Sequence, residues 1–485
     1  MNILGKNLKE LSESLNKKEI SSAELTQFYL DRIAKYDGEI CAYNYVNPNV
    51  LEQAKAVDAK RAKGEALPTY AGIPMALKDL IIQKDMPATC SSKILEGFIP
   101  PFQGTAAGLL EEAGFLCLGK LSMDEFAMGS SNETAYYKKT RNPWDTAKVP
   151  GGSSGGSAAS VAAGLTTFAL GSDTGGSIRQ PASLCGIVGM KPTYGRVSRF
   201  GLIAFASSLD QIGPMTSTMY DNAAILSVIG KYDKKDSTCF NTPEVDYTKY
   251  LTGDVKGMKI GVPKEYFAEG ITQEVRDAVN GAIKAYEAMG CEIVEISMPH
   301  TEYAVATYYI LATAEASSNL GRYDGIRFGY RAEADNLKDM YYNTRSEGFG
   351  DEVKRRIMLG TYVLSAGYYD AYYIKAQKVR TLIKQDFVQA FEKVDAIICP
   401  TSPTTAFKSG EKMNDPLQMY LSDINTISLN LYGGCGLSMP CGFDKDGMPI
   451  GVQLLGKYFD EGRLYNLAYA YEQQAKLPVM PEKLK

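Results

Sequence analysis

Apolar and polar residues recur along this chain with two different periods, one helical and one extended. Leucines follow helical spacing in residues 7–16, and Ser21 with Glu24 forms a capping box that predicts the start of a second helix. Residues 70–82 alternate in the manner of a strand. Lys78 lies inside that mostly apolar run, where burial would disfavour its charge and lower its pKa.

The same periods continue to the end of the chain. Further helices are predicted at 48–63, 105–113, 272–289, 303–320, 352–391 and 463–473, and further strands at 115–121, 259–262, 292–296, 394–399, 436–443 and 450–455. Strands that alternate with helices favour an α/β architecture. The 485 residues suffice for one large domain or for two to three ordinary ones.

Composition and charge exclude several classes of protein. The hydrophobic content of 45% is ordinary for a globular protein, and no apolar run approaches the roughly 20 residues of a membrane span. The net charge of −4 disfavours a basic nucleic-acid binder acting alone. The first 20 residues are polar and periodic, unlike a signal peptide, so we expect a cytoplasmic protein without a membrane segment.

Histidine and cysteine usage limits the chemistry further. His300 is the only histidine, which excludes zinc sites of the H-E-x-x-H type, and its place after Pro299 favours a surface or capping role. If a serine is activated here, we expect the base to be a lysine or a carboxylate. The nine cysteines are dispersed and form no C-x-x-C pair, which indicates buried free thiols in a reducing compartment.

Residues 149–192 carry the strongest candidate for chemistry. Two glycine-rich turns, Gly151–Gly156 and Gly175–Gly176, each carry serines and flank a small-residue segment and a short apolar run at 166–170. A flexible linker would not be interleaved with Ala, Val, Leu, Phe and Ile. The G-x-x-x-x-G-K-[ST] pattern of a phosphate-binding loop is absent, which disfavours a nucleotide site. The stretch therefore favours an acyl-transfer site.

Ser177 is the candidate nucleophile of such a site. Lys78, if burial keeps it neutral, can accept the proton, and a second serine can relay it. Ser153 lies 24 residues before Ser177, so the two turns can meet at one end of a sheet; Ser154 is an alternative for the relay. Spacing alone does not place Lys78 near either turn, and a solvated lysine at a strand end remains the alternative.

A developing negative charge on the substrate carbonyl needs hydrogen-bond donors beside the nucleophile. The two glycines before Ser177 would let a carbonyl group approach closely. The candidate donors are the backbone N–H groups of Thr174, Gly175, Gly176 and Ser177.

Lys78, the block GGSSGGS at 151–157 and the block GSDTGGSIR at 171–179 together resemble the amidase signature family. The resemblance spans nearly the whole chain. It implies one α/β domain over residues 1–485, with a central mixed β-sheet covered by helices on both sides and a mainly helical excursion at about 300–393. It also implies Ser177 as the acyl-ester nucleophile, Ser153 as the bridging serine in a cis peptide, and Lys78 as the base, with no metal.

Within that family, four further segments resemble the branch of glutamine-dependent Glu-tRNA(Gln) amidotransferase subunits. These segments are 123–131, 195–214, 314–329 and 352–362. The resemblance implies hydrolysis of glutamine and delivery of ammonia to a partner subunit, which uses ATP and Mg to amidate Glu-tRNA(Gln). It further implies a small third subunit, and no cofactor in this chain.

Recognition of glutamine requires a cation for its α-carboxylate and an anion for its α-ammonium group. The resemblance implies Arg356 and Asp423 in these roles, with Tyr308 nearby; from the residues alone, 354–356 is more readily a solvated helix face. One departure from the family pattern is Gly434-Cys435-Gly436, which we expect to be more flexible than the usual Leu-Pro-Gly turn. A stand-alone amidase and a catalytically silent scaffold protein remain alternative functions.

Overall fold

An eleven-stranded mixed sheet forms the centre of the structure, a computed structural model that describes residues 3–267 and 270–485. Within these residues the strands are β1 Tyr43–Val46, β2 Pro74–Lys78, β3 Leu116–Leu121, β4 Phe168–Asp173, β5 Val188–Lys191, β6 Gln211–Thr216, β7 Lys259–Pro263, β8 Glu292–Ile296, β9 Ala396–Pro400, β10 Gly436–Phe443 and β11 Pro449–Leu455. Their order across the sheet is β1-β3-β2-β4-β6-β5-β10-β11-β9-β7-β8.

The helices are distributed along the whole described chain. They are α1 Leu8–Asn16, α2 Ser22–Ile40, α3 Val50–Ala62, α4 Thr105–Glu112, α5 Gly155–Ala162, α6 Arg179–Cys185, α7 Met219–Ile229, α8 Gln273–Ala288, α9 Ala304–Asn319, α10 Leu337–Gly348, α11 Asp351–Val363, α12 Lys375–Phe391, α13 Pro416–Leu421, α14 Ile427–Tyr432 and α15 Glu461–Ala475. The predicted fold class, a single α/β domain with a mixed sheet, is confirmed. The domain limits of 1–485 and the excursion at about 300–393 stay predictions.

The sheet contains two groups of three parallel strands, here called wings, and the strands between the two wings are antiparallel. β2 runs parallel to both β3 and β4, and β7 runs parallel to both β8 and β9. The strands from β4 through β6, β5, β10 and β11 to β9 pair antiparallel. The three parallel strands of the first wing therefore end at one edge of the sheet, where their last residues come close to one another.

Helices cover both faces of the sheet, as the alternation of side chains in β5 demonstrates. Gly189 faces α6, because a Cβ on it would lie 2.7 Å from Ala182 Cβ. Its neighbour Val188 points the other way and lines a small cavity with Tyr471 of α15. Successive residues of a strand face opposite sides, so both surfaces of the central strands are buried.

Several local predictions are confirmed. The capping box before α2 is present: Ser21 Oγ accepts from the Glu24 N–H at 3.1 Å, and a Glu24 carboxylate oxygen accepts from the Ser21 N–H at 2.8 Å. The strands predicted at 292–296 and 436–443 have these bounds in the structure. α10 was not predicted, because residues 337–348 are mostly polar and bury only Met340, Thr344 and Gly348.

The long helical stretch predicted at 352–391 is interrupted in the structure. The chain leaves the helical conformation after α11, passes through Gly367 with a φ of +85°, and forms a π-helical turn at Tyr369–Ile374 before α12. A positive φ is open to glycine at little cost and interrupts a right-handed helix. Residues 365–372 are exposed, so no buried stripe of side chains marks the interruption.

Eight of the nine cysteines are buried free thiols, and Cys41 is partly buried. In the described part of the chain, no helix has both the length and the apolar content needed to cross a membrane.

The tight contact between β5 and α6 predicts a stability effect. We expect Gly189→Ala to lower the free energy of unfolding by about 1–3 kcal/mol, because the added methyl group overpacks against Ala182. Gly281→Ala in α8 is the control: its Cβ would meet no atom within 4 Å, and alanine favours a helix by roughly 0.5–1 kcal/mol. Urea unfolding measures both; an unchanged midpoint for Gly189→Ala contradicts the packing argument.

Candidate active site

The carboxyl ends of three strands meet at one edge of the sheet. β2 ends at Lys78. β4 ends at Asp173 and leads into the turn 174–177, and β3 ends at Leu121, three residues before Asp124. Ala76 pairs with Ala169 and Leu77 with Leu170, so Lys78 comes level with the last residues of β4. The sheet topology thus places the predicted base next to the glycine-rich turns, which spacing in the sequence did not do.

The Lys78 amine is fully buried among serine hydroxyl groups. Its Nζ lies 2.8 Å from Ser153 Oγ, 2.8 Å from Ser154 Oγ and 2.9 Å from Ser172 Oγ. Burial lowers the pKa of Lys78 to about 7, although the carboxylates of Asp124, Asp173 and Asp210 oppose this shift. The amine is therefore available in its neutral form near neutral pH.

The hydrogen bonds around the amine limit which serine hydroxyl can donate to its lone pair. A neutral amine has two N–H donors and one acceptor site. Ser154 Oγ donates to the Ser172 carbonyl oxygen at 3.1 Å, so it accepts from the amine. Of the two remaining hydroxyl groups, those of Ser153 and Ser172, one accepts the second N–H and the other donates to the lone pair. This arrangement allows Ser153 to serve as a proton relay.

The turn that carries Ser153 is held from two sides. The Gly152–Ser153 peptide bond is cis. The Asp124 N–H donates to the Ser153 carbonyl oxygen at 3.2 Å, and the Gly152 N–H donates to Gln180 Oε1 at 3.0 Å. Ser153 is fully buried, so its hydroxyl stays directed at the amine of Lys78.

The turn that carries Ser177 is held by a buried carboxylate. Asp173 accepts from the Gly176 N–H at 2.8 Å and from Arg179 Nε at 3.1 Å. The Ser154 N–H donates to the Ser177 carbonyl oxygen at 3.2 Å, which joins the two serine turns. The Ser177 hydroxyl makes no hydrogen bond within the described residues, and at 9% exposure this side chain is the least buried of the proposed triad.

Gly176 was one of the predicted oxyanion donors. Its N–H donates to the Asp173 carboxylate in this structure, so it is not free to bind an oxyanion. The amide N–H groups of Thr174, Gly175 and Ser177 meet no acceptor among the described residues. The tyrosine ring of Tyr308 packs against the turn: a Cβ on Gly175 would lie 2.7 Å from Tyr308 Cζ. The glycine is thus needed for this close approach.

Arg356 lies buried near this turn, and only one of its three guanidinium nitrogens has a hydrogen-bond acceptor in the described chain. Its Nε donates to Glu352 Oε1 at 2.8 Å, while its two Nη atoms donate to no acceptor within the described residues. The charge of Arg356 acts on the pKa of Tyr308, which burial raises and Arg356 lowers. Two unpaired NH2 groups in the fixed plane of a guanidinium match the two oxygens of a carboxylate.

Asp423 supplies the opposite charge. The Ser130 hydroxyl donates to its Oδ2 atom, whereas its Oδ1 atom is buried without a hydrogen-bond partner in the described chain. Burial raises the pKa of Asp423 to about 7, against the lowering effects of Ser130 and Arg356. Three residues on, Thr426 Oγ1 donates to the Gly175 carbonyl oxygen at 2.6 Å, which ties this loop to the nucleophile turn.

Comparison with known proteins identifies the family. The Amidase family model matches residues 24–465 of this chain. The chain belongs to the amidase family. It is 57% identical over 478 residues to a glutamyl-tRNA(Gln) amidotransferase subunit of Geobacter sp. (strain M21), and the match covers 98% of both chains.

Solved structures of amidases have the same fold. The crystal structure of the corresponding glutamyl-tRNA(Gln) amidotransferase subunit from Thermotoga maritima is 44% identical, with a TM-score of 0.82 over 97% of this chain and 95% of that one. The native peptide amidase of Stenotrophomonas maltophilia is 29% identical, with a TM-score of 0.82 over 98% and 97% of the two chains.

Sequence reasoning missed several residues of this amidase site. Ser172 and Ser130 lay inside recognised motifs, but their hydroxyl contacts depend on strands and loops distant in sequence. Glu352 was visible as an i,i+4 partner of Arg356 on a helix. His300 lies elsewhere: its Nδ1 is 2.8 Å from Asp386 Oδ1.

The departure at residues 434–436 is packed rather than loose. Cys435 is buried, and Gly436 belongs to β10, where it pairs with Lys191. A Cβ on Gly434 would lie 2.4 Å from the Tyr432 ring. The glycines therefore permit a close approach here, and the expectation of flexibility is corrected.

The burial of Lys78 predicts the pH dependence of amide hydrolysis. A lysine base works only when neutral, and its pKa of about 7 means that protonation removes the base as the pH falls below 7. For an uncharged amide, whose binding does not use the Asp423 carboxylate, we expect kcat/KM to fall about tenfold per pH unit on the acid side and to level off above 7. A profile from about pH 5 to 9 checks this, and a rate independent of pH below 7 contradicts it.

The serine hydroxyl groups around Lys78 predict an effect of Ser172 on the catalytic rate. We expect Ser172→Ala to lower kcat roughly tenfold, the equivalent of about one hydrogen bond, because the amine loses a hydrogen-bond partner that orients it. Ser157→Ala is the matched control, since this buried hydroxyl donates to the Leu170 carbonyl oxygen and does not touch Lys78. Equal losses in both variants, measured by steady-state kinetics, would assign Ser172 a structural role only.

Proposed function

We propose that this chain is the glutamine amidohydrolase subunit of a Glu-tRNA(Gln) amidotransferase. The observation that carries the proposal is the pair of unsatisfied, opposite charges beside the nucleophile turn. The Nη atoms of Arg356 and Oδ1 of Asp423 have no partner in the described chain, and both charges act on Tyr308, which packs on Gly175. Relatives named as subunits of that enzyme, at 57% identity over nearly the full chain, support the same function.

The proposed substrate is held by its α-substituents. The α-carboxylate of glutamine accepts from the free N–H groups of Arg356, and its α-ammonium group donates to Asp423 Oδ1. The second contact satisfies Asp423 Oδ1, a buried atom without a partner in the described chain, and the first engages Nη atoms that make no other hydrogen bond there, which favours an amino-acid amide over an uncharged one. The side-chain amide then reaches the turn of Ser177.

The proposed reaction proceeds through an acyl-enzyme. Neutral Lys78 accepts the Ser153 proton, Ser153 takes the Ser177 proton, and Ser177 Oγ attacks the amide carbon. The N–H groups of Thr174 and Gly175 stabilise the oxyanion, with that of Ser177 as the third donor. Ser153 returns a proton to the leaving nitrogen, ammonia departs, and water hydrolyses the glutamyl ester to glutamate.

The partners of this reaction are part of the proposal. Ammonia passes to a tRNA-binding, kinase-like subunit that uses ATP and Mg to amidate Glu-tRNA(Gln), and a small third subunit completes the complex. We propose no cofactor for this chain, because its own serines and lysine supply the nucleophile and the proton transfers. The complex is proposed to be cytoplasmic.

The test is ammonia release from glutamine by the purified chain, alone and with its partner subunits, Glu-tRNA(Gln) and ATP. We expect release to rise with the full set and to yield Gln-tRNA(Gln). Ser177→Ala should abolish both ammonia release and the covalent intermediate trapped by acid quench, because no other group supplies the nucleophile.

Two outcomes contradict the proposal. Strong release from unrelated amides by the chain alone, with no response to partners, would identify a stand-alone amidase. Full ammonia release by a folded Ser177→Ala variant, checked by circular dichroism, would remove Ser177 from the nucleophile role.

A further inference from the structure

A carboxylate behind Arg356 connects the two elements that carry the proposed substrate charges. Glu352 precedes Arg356 by one helical turn on α11 and accepts from its Nε at 2.8 Å. The same oxygen, Oε1, accepts from the Tyr420 hydroxyl of α13 at 2.9 Å. Glu352 Oε2 accepts from the half-exposed Arg355. One carboxylate therefore joins α11 to α13.

Aromatic rings complete the enclosure of the guanidinium. The rings of Tyr309 and Tyr420 stack with centroids 3.9 Å apart and an interplanar angle of 24°. The Arg356 guanidinium carbon lies 5.1 Å from the Tyr309 centroid, 5.4 Å from that of Tyr420 and 5.7 Å from that of Phe205. Cation–π contacts of this kind fix the plane of the guanidinium and leave its Nη edge free.

The position of Tyr420 also determines the position of Asp423. The Asp423 N–H donates to the Tyr420 carbonyl oxygen at 3.3 Å, so the two residues belong to one turn at the end of α13. The hydrogen bond from Tyr420 to Glu352 consequently sets the distance between the cation on α11 and the anion after α13. The α-carboxylate and α-ammonium group of an amino acid are a fixed distance apart. The hydrogen bond between Tyr420 and Glu352 therefore affects whether Arg356 and Asp423 can bind both groups at once.

We infer that Glu352 and Tyr420 form a positioning pair that selects amides of α-amino acids over amides lacking the two α-charges. The inference rests on the proposed function and adds the residues that set its specificity. Neither residue touches the reacting atoms; both act through Arg356 and Asp423. Their loss should therefore affect binding of a zwitterionic amide and spare the chemical step.

The test compares two substrates on the chain assembled with its partner subunits. We expect Tyr420→Phe, which keeps the stacked ring and removes only the hydroxyl, to raise KM for glutamine at least about tenfold with kcat nearly unchanged. Glu352→Gln should act in the same direction. For butyramide, which has neither α-charge, kcat/KM should stay within about twofold of the unaltered enzyme.

Lys354→Ala is the matched control, because this residue forms an exposed i,i+3 ion pair with Asp351 on the same helix and does not touch Glu352. It should leave both substrates unaffected. An unchanged KM for glutamine in Tyr420→Phe overturns the inference, and so does an equal loss with glutamine and butyramide, which a merely structural role would produce. If the unaltered complex releases no ammonia from glutamine, the proposed function fails, and the inference fails with it.

Discussion

Burial of one amine at the end of a parallel strand organises the site. Lys78 has no carboxylate within hydrogen-bond distance among the described residues, and three serine hydroxyl groups surround its Nζ. A charged amine in this place would lose its hydration without a compensating ion pair, so the neutral form is favoured. Parallel pairing of β2 with β4 brings Ser172 to it, and the neighbouring turn supplies Ser153 and Ser154. The neutral amine of Lys78 can therefore accept a proton in a site that contains no histidine.

A second buried charge has a different task at the same edge. Asp173 is paired with Arg179, and the pair is fully buried. The carboxylate also accepts from N–H groups of the following turn, so it fixes the backbone on which Ser177 lies. Arg179 in turn donates to Asn430 of α14 and to Gln453 of β11, which anchors this turn to a helix and to a strand in the other half of the sheet. The nucleophile is thereby attached to the core, while its hydroxyl stays open.

The proposed substrate contacts come from outside the sheet, which separates specificity from chemistry. Tyr308 lies on α9, Arg356 on α11 and Asp423 after α13. Two of these elements contact the turn before Ser177. Tyr308 packs on Gly175 and Thr426 packs on Gly176, and neither glycine has room for a side chain.

The sequence by itself determined the fold class and the glycine-rich turns, because periodicity and motif composition are local properties, and its resemblance to the amidase family implied the candidate triad. It left open whether Lys78 meets the serines and how the helical region is interrupted. Tertiary structure decided these points, since pairing of distant strands brings Lys78 to Ser172 and two turns together. The engagement of the Gly176 N–H by Asp173 likewise depends on three-dimensional hydrogen bonding, which no spacing along the chain encodes.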